Sequence, residues 1–477
     1  MGPLHFFSQL VVGLVATDDL ERFIRAQMSS GGIPGLSAAV VRRDELLWTG
    51  AFGSADPQKG VAATEHTLFT HASISKTVVG VVAMQLEELG LFELDDDVGA
   101  LLGYAVRNPR FPNTTVTMRQ LMTHTSGASD VYYDSIYAQY AVLGDSPVPM
   151  ASFCELLFSG HRAKQTFGVH APGAAYNYSN VGATLAACAA ERVAVRAGLL
   201  PGGGDFDTLA RQRVFATALG VPASRAGFRL ADLRASAFVA MPTLVNASAP
   251  SGFSDRCHYG YPDYADGLWK ARAADYARLL GAVANDGTSS TGAAMLNATT
   301  VARMIRPELN TSGAHFPFGA QGLLWYYYDL PAGDPAGDSV SCKYCGLLGH
   351  SGGDDGVATD AFLDVDSGVG FVVLTNGDWD DPIAGSFSRA MATIETRLLD
   401  TFVPPARQRQ RLLSGQGEPP PPPRHHPSRR QGRGGGGRQF CEYGRDYRGG
   451  RCSRGTLQIK SIARKVNQFQ GEVCESY

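Results

Sequence analysis

Apolar residues recur at helical spacing along Val78, Val79, Val82, Leu86 and Leu89, which predicts a buried helix from Ser73 to Leu89, ended by Gly90. Asp18 to Met28 predicts an earlier helix with Leu20, Phe23 and Ile24 on one face, stopped by Gly31-Gly32-Ile33-Pro34-Gly35. Two β-rich runs follow it, Leu36 to Val41 and Leu46 to Phe52, joined as a hairpin by Arg42-Arg43-Asp44-Glu45. Val116 to Met122 predicts a helix running into His124-Thr125-Ser126-Gly127. Residues 130–240 are rich in Ala, Leu, Arg and aromatics, with few strand-like runs, and are expected to be mostly helical. Further helices are predicted at Asp275 to Ala284, Thr299 to Ile305 and Ser386 to Leu399. Strand signals return at Gly322 to Tyr328, Ala358 to Val365 and Gly370 to Thr375.

The order is strands, helices, then strands and a helix. Strands from both ends can share one antiparallel sheet with the helical block inserted between them. The expected class is therefore α/β (α+β): an antiparallel sheet flanked by helices, with an inserted all-helical lobe over about residues 106–250. This domain spans 18–402, after an apolar segment at 1–17. The pattern breaks after Val403. Pro419 to Pro423 is a proline run, and Arg429 to Arg438 is Arg/Gly-rich, so 403–477 reads as a low-complexity, disordered tail.

Charge sharpens that division. From Pro404 to Tyr477 there are 15 Lys plus Arg against 5 Asp plus Glu, which leaves the tail at +10 and the rest of the 477 residues at −13. Nucleic acid is not expected for the domain; weak RNA binding is open only for the basic tail. The apolar run from His5 to Ala16 is too short to span a membrane and lacks the Lys/Arg of a signal-peptide start. A weak signal and the start of a helix both fit it. Secretion stays open, with sequons at Asn113, Asn177, Asn246, Asn297 and Asn310. Eight Cys are too sparse for a disulfide framework, and Cys342-Lys343-Tyr344-Cys345 reads as a local disulfide or two free thiols. It has no partner pair at zinc spacing, so no metal and no organic cofactor are implied.

The chemistry starts at Ser73 and Lys76, an S-x-x-K at the head of the apolar helix. Residues three apart share a helix face, so the two side chains meet. A serine hydroxyl needs a base within hydrogen-bond reach. A buried lysine becomes one when desolvation and nearby positive charge lower its pKa. Helix N-termini also present unpaired N–H groups to a developing oxyanion. Only Lys76, of seven lysines, has serine three residues before it.

Two later stretches complete the set. Tyr178-Ser179-Asn180 is a Y-x-N before a helix starting near Val181. A phenol beside an ammonium can shuttle protons, and an amide can bond both a lysine and a substrate carbonyl. His350-Ser351-Gly352, followed by Gly353, is an H-x-G. Its glycines let a strand edge approach substrate, with Gly353 N–H pairing Ser73 N–H in an oxyanion hole. His124 and His71 read as structural loop residues.

This ordered set resembles the serine β-lactamase-like family: class C β-lactamases, D-alanyl-D-alanine carboxypeptidases and related esterases. Ile33-Pro34-Gly35-Leu36-Ser37, the run from Met118 to Gly127 and that from Leu296 to Pro307 extend the resemblance over about 18–402. It implies Ser73 as acylated nucleophile, Lys76 as its base and Tyr178 as proton carrier. Asn180 would hold substrate and Lys76; His350, Gly352 and Gly353 would form the substrate and oxyanion edge. The base can be Lys or Tyr, with the proton shared across the pair. His350 replaces the lysine usual in class C β-lactamases, and Gly333 to Cys345 has no family counterpart. An imidazole anchors a carboxylate less firmly than an ammonium, which favours small esters or peptides over β-lactams as substrates. Acyl transfer at the same site, or a non-catalytic scaffold, are the alternatives.

Overall fold

The computed structural model describes residues 18–404, except 132–136, 138, 201–202, 235–236, 311–319, 332–341 and 380–385. The apolar segment before Asp18, the basic tail and most of the stretch from Gly333 to Cys345 lie outside the described residues.

Nine strands form the main sheet: β1 (Gly35–Arg42), β2 (Glu45–Asp56), β3 (Val61–Ala62), β4 (Leu309–Asn310), β5 (Ala320–Gln321), β6 (Tyr326–Pro331), β7 (Cys342–Asp354), β8 (Val357–Asp364) and β9 (Val369–Thr375). Their spatial order is β4-β5-β6-β7-β8-β9-β1-β2-β3, antiparallel throughout. The two ends of the domain meet where β1 pairs β9, with Ala39 opposite Val372.

Each central strand is apolar on both faces, because helices cover both. Leu36, Ala38 and Val40 of β1 join Phe371 and Val373 of β9 against residues 18–31, a helix, and α4 (Ser386–Phe402), through Leu20, Ile24, Met391 and Leu398. Ala39, Val41, Val372 and Leu374 point the other way, onto Tyr276 and Leu280 of α3 (Ala273–Ala284) and the core around α1 (Ser75–Glu88). The period of two in side-chain direction thus feeds two cores from single strands.

Helix α1 is buried along almost its whole length, as an all-round apolar helix must be. It packs on α2 (Asn180–Arg196), whose buried Ala183, Ala186, Ala187, Ala190 and Ala194 allow close approach. A disulfide between Cys154 and Cys188 ties the helix Met150–Phe158 to α2.

The structure corrects several expectations. Cysteine count implied no disulfide framework and named no long-range pair; the structure adds Cys154–Cys188, since distant cysteines become partners only through helix packing. Cys342 and Cys345 are bonded locally. The inserted lobe is not all-helical, since it carries the strand pair Thr243–Val245 with Phe253–Asp255 and the bridge of Val142–Leu143 to Tyr259–Gly260. The helix expected from Val116 shortens to Met118–Met122, because Val116 O accepts from Val98 N and Thr117 closes a capping box with Gln120. The strand expected at Gly322 starts at Tyr326; Gly322 N–H closes a turn on Trp325 O, with Leu324 at φ +60°. Strand β7 was hidden by its four glycines, which carry little strand signal.

Gly281 shows how tightly α3 meets the sheet. A β-carbon there would lie 2.1 Å from the Arg43 carbonyl oxygen and 3.0 Å from a Val41 methyl. Helix propensity alone would make Gly281→Ala stabilising by about 1 kcal/mol. Backbone overlap costs about 1–3 kcal/mol and wins. The expected result is a lower midpoint in urea unfolding, and a raised midpoint would show that α3 shifts freely.

Candidate active site

Ser73 sits in a single 3-10 turn, Ala72–Ile74, that runs into α1. It is not in the α-helix itself, as the spacing suggested. The residue before it, Ala72, has φ +46°, a left-handed conformation that costs a β-carbon residue about 1–3 kcal/mol. The turn is held from several sides. His71 N–H donates to Trp269 O at 2.7 Å. His71 O accepts from Thr359 Oγ1 at 2.8 Å, and Ser75 Oγ accepts from Trp269 N–H at 3.0 Å. His71 is buried with Nδ1 2.9 Å from Phe69 O, and desolvation lowers its pKa to about 3, so it is a neutral structural residue.

Lys76, in the first turn of α1, is completely buried. Its ammonium donates to Ser73 Oγ at 2.9 Å and to the Asp266 carbonyl at 2.8 Å, and it lies 5.2 Å from the centroid of the Tyr178 ring. Burial pulls its pKa down, but Tyr178, Asp266 and Asp130 outweigh burial, and the net direction is upward. This reverses the expectation of a lowered pKa: what surrounds Lys76 is acid and phenol, not positive charge. Asp266, in turn, is pushed well up by burial and by Asp263, against the pull of Lys76.

Tyr178 and Asn180 flank Ser179, the N-cap of α2. Ser179 Oγ accepts from Gly182 N–H at 3.0 Å and donates to Asp130 Oδ1 at 2.9 Å. Asp130, fully buried, also takes Asn180 N–H at 2.7 Å. Its pKa is raised by desolvation, although these bonds and Lys76 oppose the rise. The Asn180 side chain is half-buried and makes no hydrogen bond to Lys76; the Asp266 carbonyl takes that place.

The third element comes from β7. Strand β6 ends its pairing at Tyr326 opposite Gly349, so the edge of β7 from His350 onward is open on that side. The Ser73 turn packs against the face of β7 beside this edge. A β-carbon on Gly352 would lie 2.5 Å from His71 O and 3.0 Å from Ala72 Cβ. Ser351 N–H donates to the Tyr326 hydroxyl on the open side, and the ladder's alternation turns Gly353 N–H the same way. Trp379 Nε1 holds the other side of the strand through Gly352 O at 2.8 Å.

His350 is buried, 4.6 Å from the Tyr326 ring and 6.2 Å from the Tyr178 ring. Desolvation and the Lys76 charge lower its pKa to about 3. Its Nδ1 lies 2.5 Å from Ser351 O, which can only accept, so Nδ1 carries the proton and Nε2 is an acceptor. Ser73, Lys76, Tyr178, His350 and the glycine edge therefore converge, while Asn180 joins through its backbone N–H to Asp130. Spacing did not reveal Asp130, Asp266 or Trp379. Asp130 lies three residues beyond His-Thr-Ser-Gly and Asp266 in a 3-10 turn, Tyr264–Asp266, that carries no motif, so folding alone brings them in.

An antiparallel sheet flanked by helices, with a serine-lysine turn against an open strand edge, is the architecture of the β-lactamase and transpeptidase class. The chain belongs to the Beta-lactamase family, whose pattern matches residues 20–392. Among solved structures it is similar to the octameric penicillin-binding protein homologue from Pyrococcus abyssi, with 21% identity, TM-score 0.61 and coverage of 83% of this chain and 81% of that one. It is also similar to the D-amino acid amidase from Ochrobactrum anthropi SV3, with 19% identity, TM-score 0.58 and coverage of 80% and 99%. Protein flp of Staphylococcus aureus (strain N315) is 30% identical over 108 residues, 23% of this chain and 22% of that protein. Such relatives are matched over less than two thirds of their own length.

Gly352→Ala is expected to separate β7 from the Ser73 turn, since its β-carbon would also meet Thr359 Oγ1 at 2.4 Å. A displacement near 1 Å costs about 100-fold in rate. Active-site titration with a chromogenic ester should show that loss with the fold intact by circular dichroism; a parent-like rate would mean the edge is remote from the chemistry.

Proposed function

We propose that this chain is a serine hydrolase that cleaves esters or amides lacking a carboxylate beside the scissile bond, through an acyl-Ser73 intermediate. The observation that carries the reading is the 2.9 Å contact of the buried Lys76 ammonium with Ser73 Oγ, with Tyr178 on the same ammonium. Because Lys76 keeps its proton and donates to Ser73 Oγ, the serine's own proton is free to leave to Tyr178. In the reacting form Tyr178 is the phenolate, its charge offset by the Lys76 ammonium, and as base it takes the Ser73 proton and becomes a phenol. Ser73 Oγ bonds the substrate carbonyl carbon, and the oxyanion is met by the N–H groups of Ser73 and Gly353. Collapse breaks the bond to the leaving group, which takes the proton from Tyr178. Water then gives a proton to the Tyr178 phenolate as its oxygen bonds the acyl carbon, and the Ser73–acyl bond breaks as Ser73 Oγ takes that proton back from Tyr178.

His350 narrows the substrate class. A neutral imidazole with Nε2 as acceptor gives a carboxylate nothing to bind, but it can receive an N–H or O–H. This favours amides and esters without a carboxylate beside the scissile bond. The likeness to a protein named as a D-amino acid amidase makes D-amino acid amides and short aryl esters the first substrates to test.

A fluorophosphonate probe should leave one adduct, on Ser73 by peptide mapping, and none on Ser73→Ala. Tyr178→Phe should slow acylation by about 100-fold or more. An unlabelled parent, under conditions that label a control serine hydrolase, would overturn the reading. A second outcome follows from the charge on His350. Its folded pKa near 3 keeps it neutral above pH 4. The ratio of kcat/KM for a carboxylate-bearing ester to that for its methyl ester should stay flat from pH 5 to 8. His350→Lys should raise that ratio about tenfold, the worth of one charge-assisted bond. A ratio that climbs on acidification in the parent would mean that His350 titrates.

A further inference from the structure

We infer that His124 is the positioning residue for Tyr178, an inference that rests on Tyr178 serving as the proton carrier. Three contacts from this one residue bracket the phenol. Its carbonyl accepts from Asn177 N–H at 2.8 Å. Its Nδ1 accepts from Ser179 N–H at 3.2 Å. Between those two bonds its ring lies against the Tyr178 ring, with centroids 4.5 Å apart and planes at 32°. Residues on either side of Tyr178 are thus hydrogen-bonded to the residue that packs on its face, leaving the phenol few rotamers.

The geometry is more than loop filling. His124 is buried and has φ +54°, a left-handed conformation that His enters more readily than most side chains. The residue held in this conformation is the one that grips the Tyr178 segment. Nδ1 accepts, so the ring is the Nε2–H tautomer, and Nε2 is buried with no hydrogen-bond partner. Burial and the Lys76 charge keep the imidazole neutral, which suits a residue that orients the phenol without competing for its proton. The Lys76 ammonium meets the same Tyr178 ring, 5.2 Å from its centroid. Tyr178 is therefore held between an ammonium that supplies charge and an imidazole that supplies orientation.

His124→Asn and His124→Gly test this. Both residues tolerate the positive φ, so neither adds backbone strain. Asn retains an acceptor near Ser179 N–H; Gly removes acceptor and ring together. Rates are read per active site, titrated with the fluorophosphonate, so that loss of folded protein is not mistaken for loss of chemistry. The expected result is a kcat about 100-fold lower in His124→Gly with KM within twofold, the cost of a phenol displaced by about 1 Å. His124→Asn should recover about tenfold of that loss through the retained bond to Ser179. A parent-like kcat per titrated site in His124→Gly, with Tyr178→Phe inactive, would overturn the positioning role and leave the proposed function standing. A fully active Tyr178→Phe would overturn the role assigned to Tyr178, and this inference with it.

Discussion

One buried charge organises this molecule. The Lys76 ammonium lies in the core and survives there because a carbonyl and a serine oxygen receive it, while Tyr178, Asp266 and Asp130 raise its proton affinity. An ammonium without such partners would lose its proton in a site this dry. Those partners come from four separate parts of the chain: the turn at Ser73, the loops at Asp130 and Tyr178, and the segment before Trp269. Packing α1 against α2 is therefore also the act that assembles the site.

Around that charge the backbone is forced into close quarters. Ala72 takes a left-handed conformation, and β7 comes so near that only glycine fits at position 352. These costs are met by bonds outside the reacting groups, from Thr359, Trp269 and Trp379. Strain of this kind is retained where the surroundings over-determine it. Within this cluster a neutral His350 beside a charged Lys76 puts the positive charge next to Ser73 and not at position 350.

Much of the fold was legible. The β-rich run from Leu36 to Val41 and the helical spacing after Val78 have short-range causes, and both appear as read. Strand β7 was not, because glycines at 346, 349, 352 and 353 weaken any local strand preference. The lobe between 130 and 240 misled in part, since Ala and Leu there serve short strands and irregular loops as well as helices. Of the site, Ser73, Lys76, Tyr178 and His350 stood out as motif residues, whereas Asp130, Asp266 and the part played by His124 did not. Asp130 and Asp266 carry no spacing relation to Ser73, and His124 sits in a motif whose local pattern suggested only a loop.

The division has a physical basis. The amino-acid order by itself determined which residue types stand three apart on a helix turn, which segments favour helix or strand, and that an acidic body precedes a basic tail. Those properties depend on neighbours along the chain. Only tertiary structure decided the charge state of Lys76, the tautomer and neutrality of His350, and the pairing of Cys154 with Cys188. A pKa or a disulfide depends on what folding brings within a few ångströms, and sequence distance carries no measure of that.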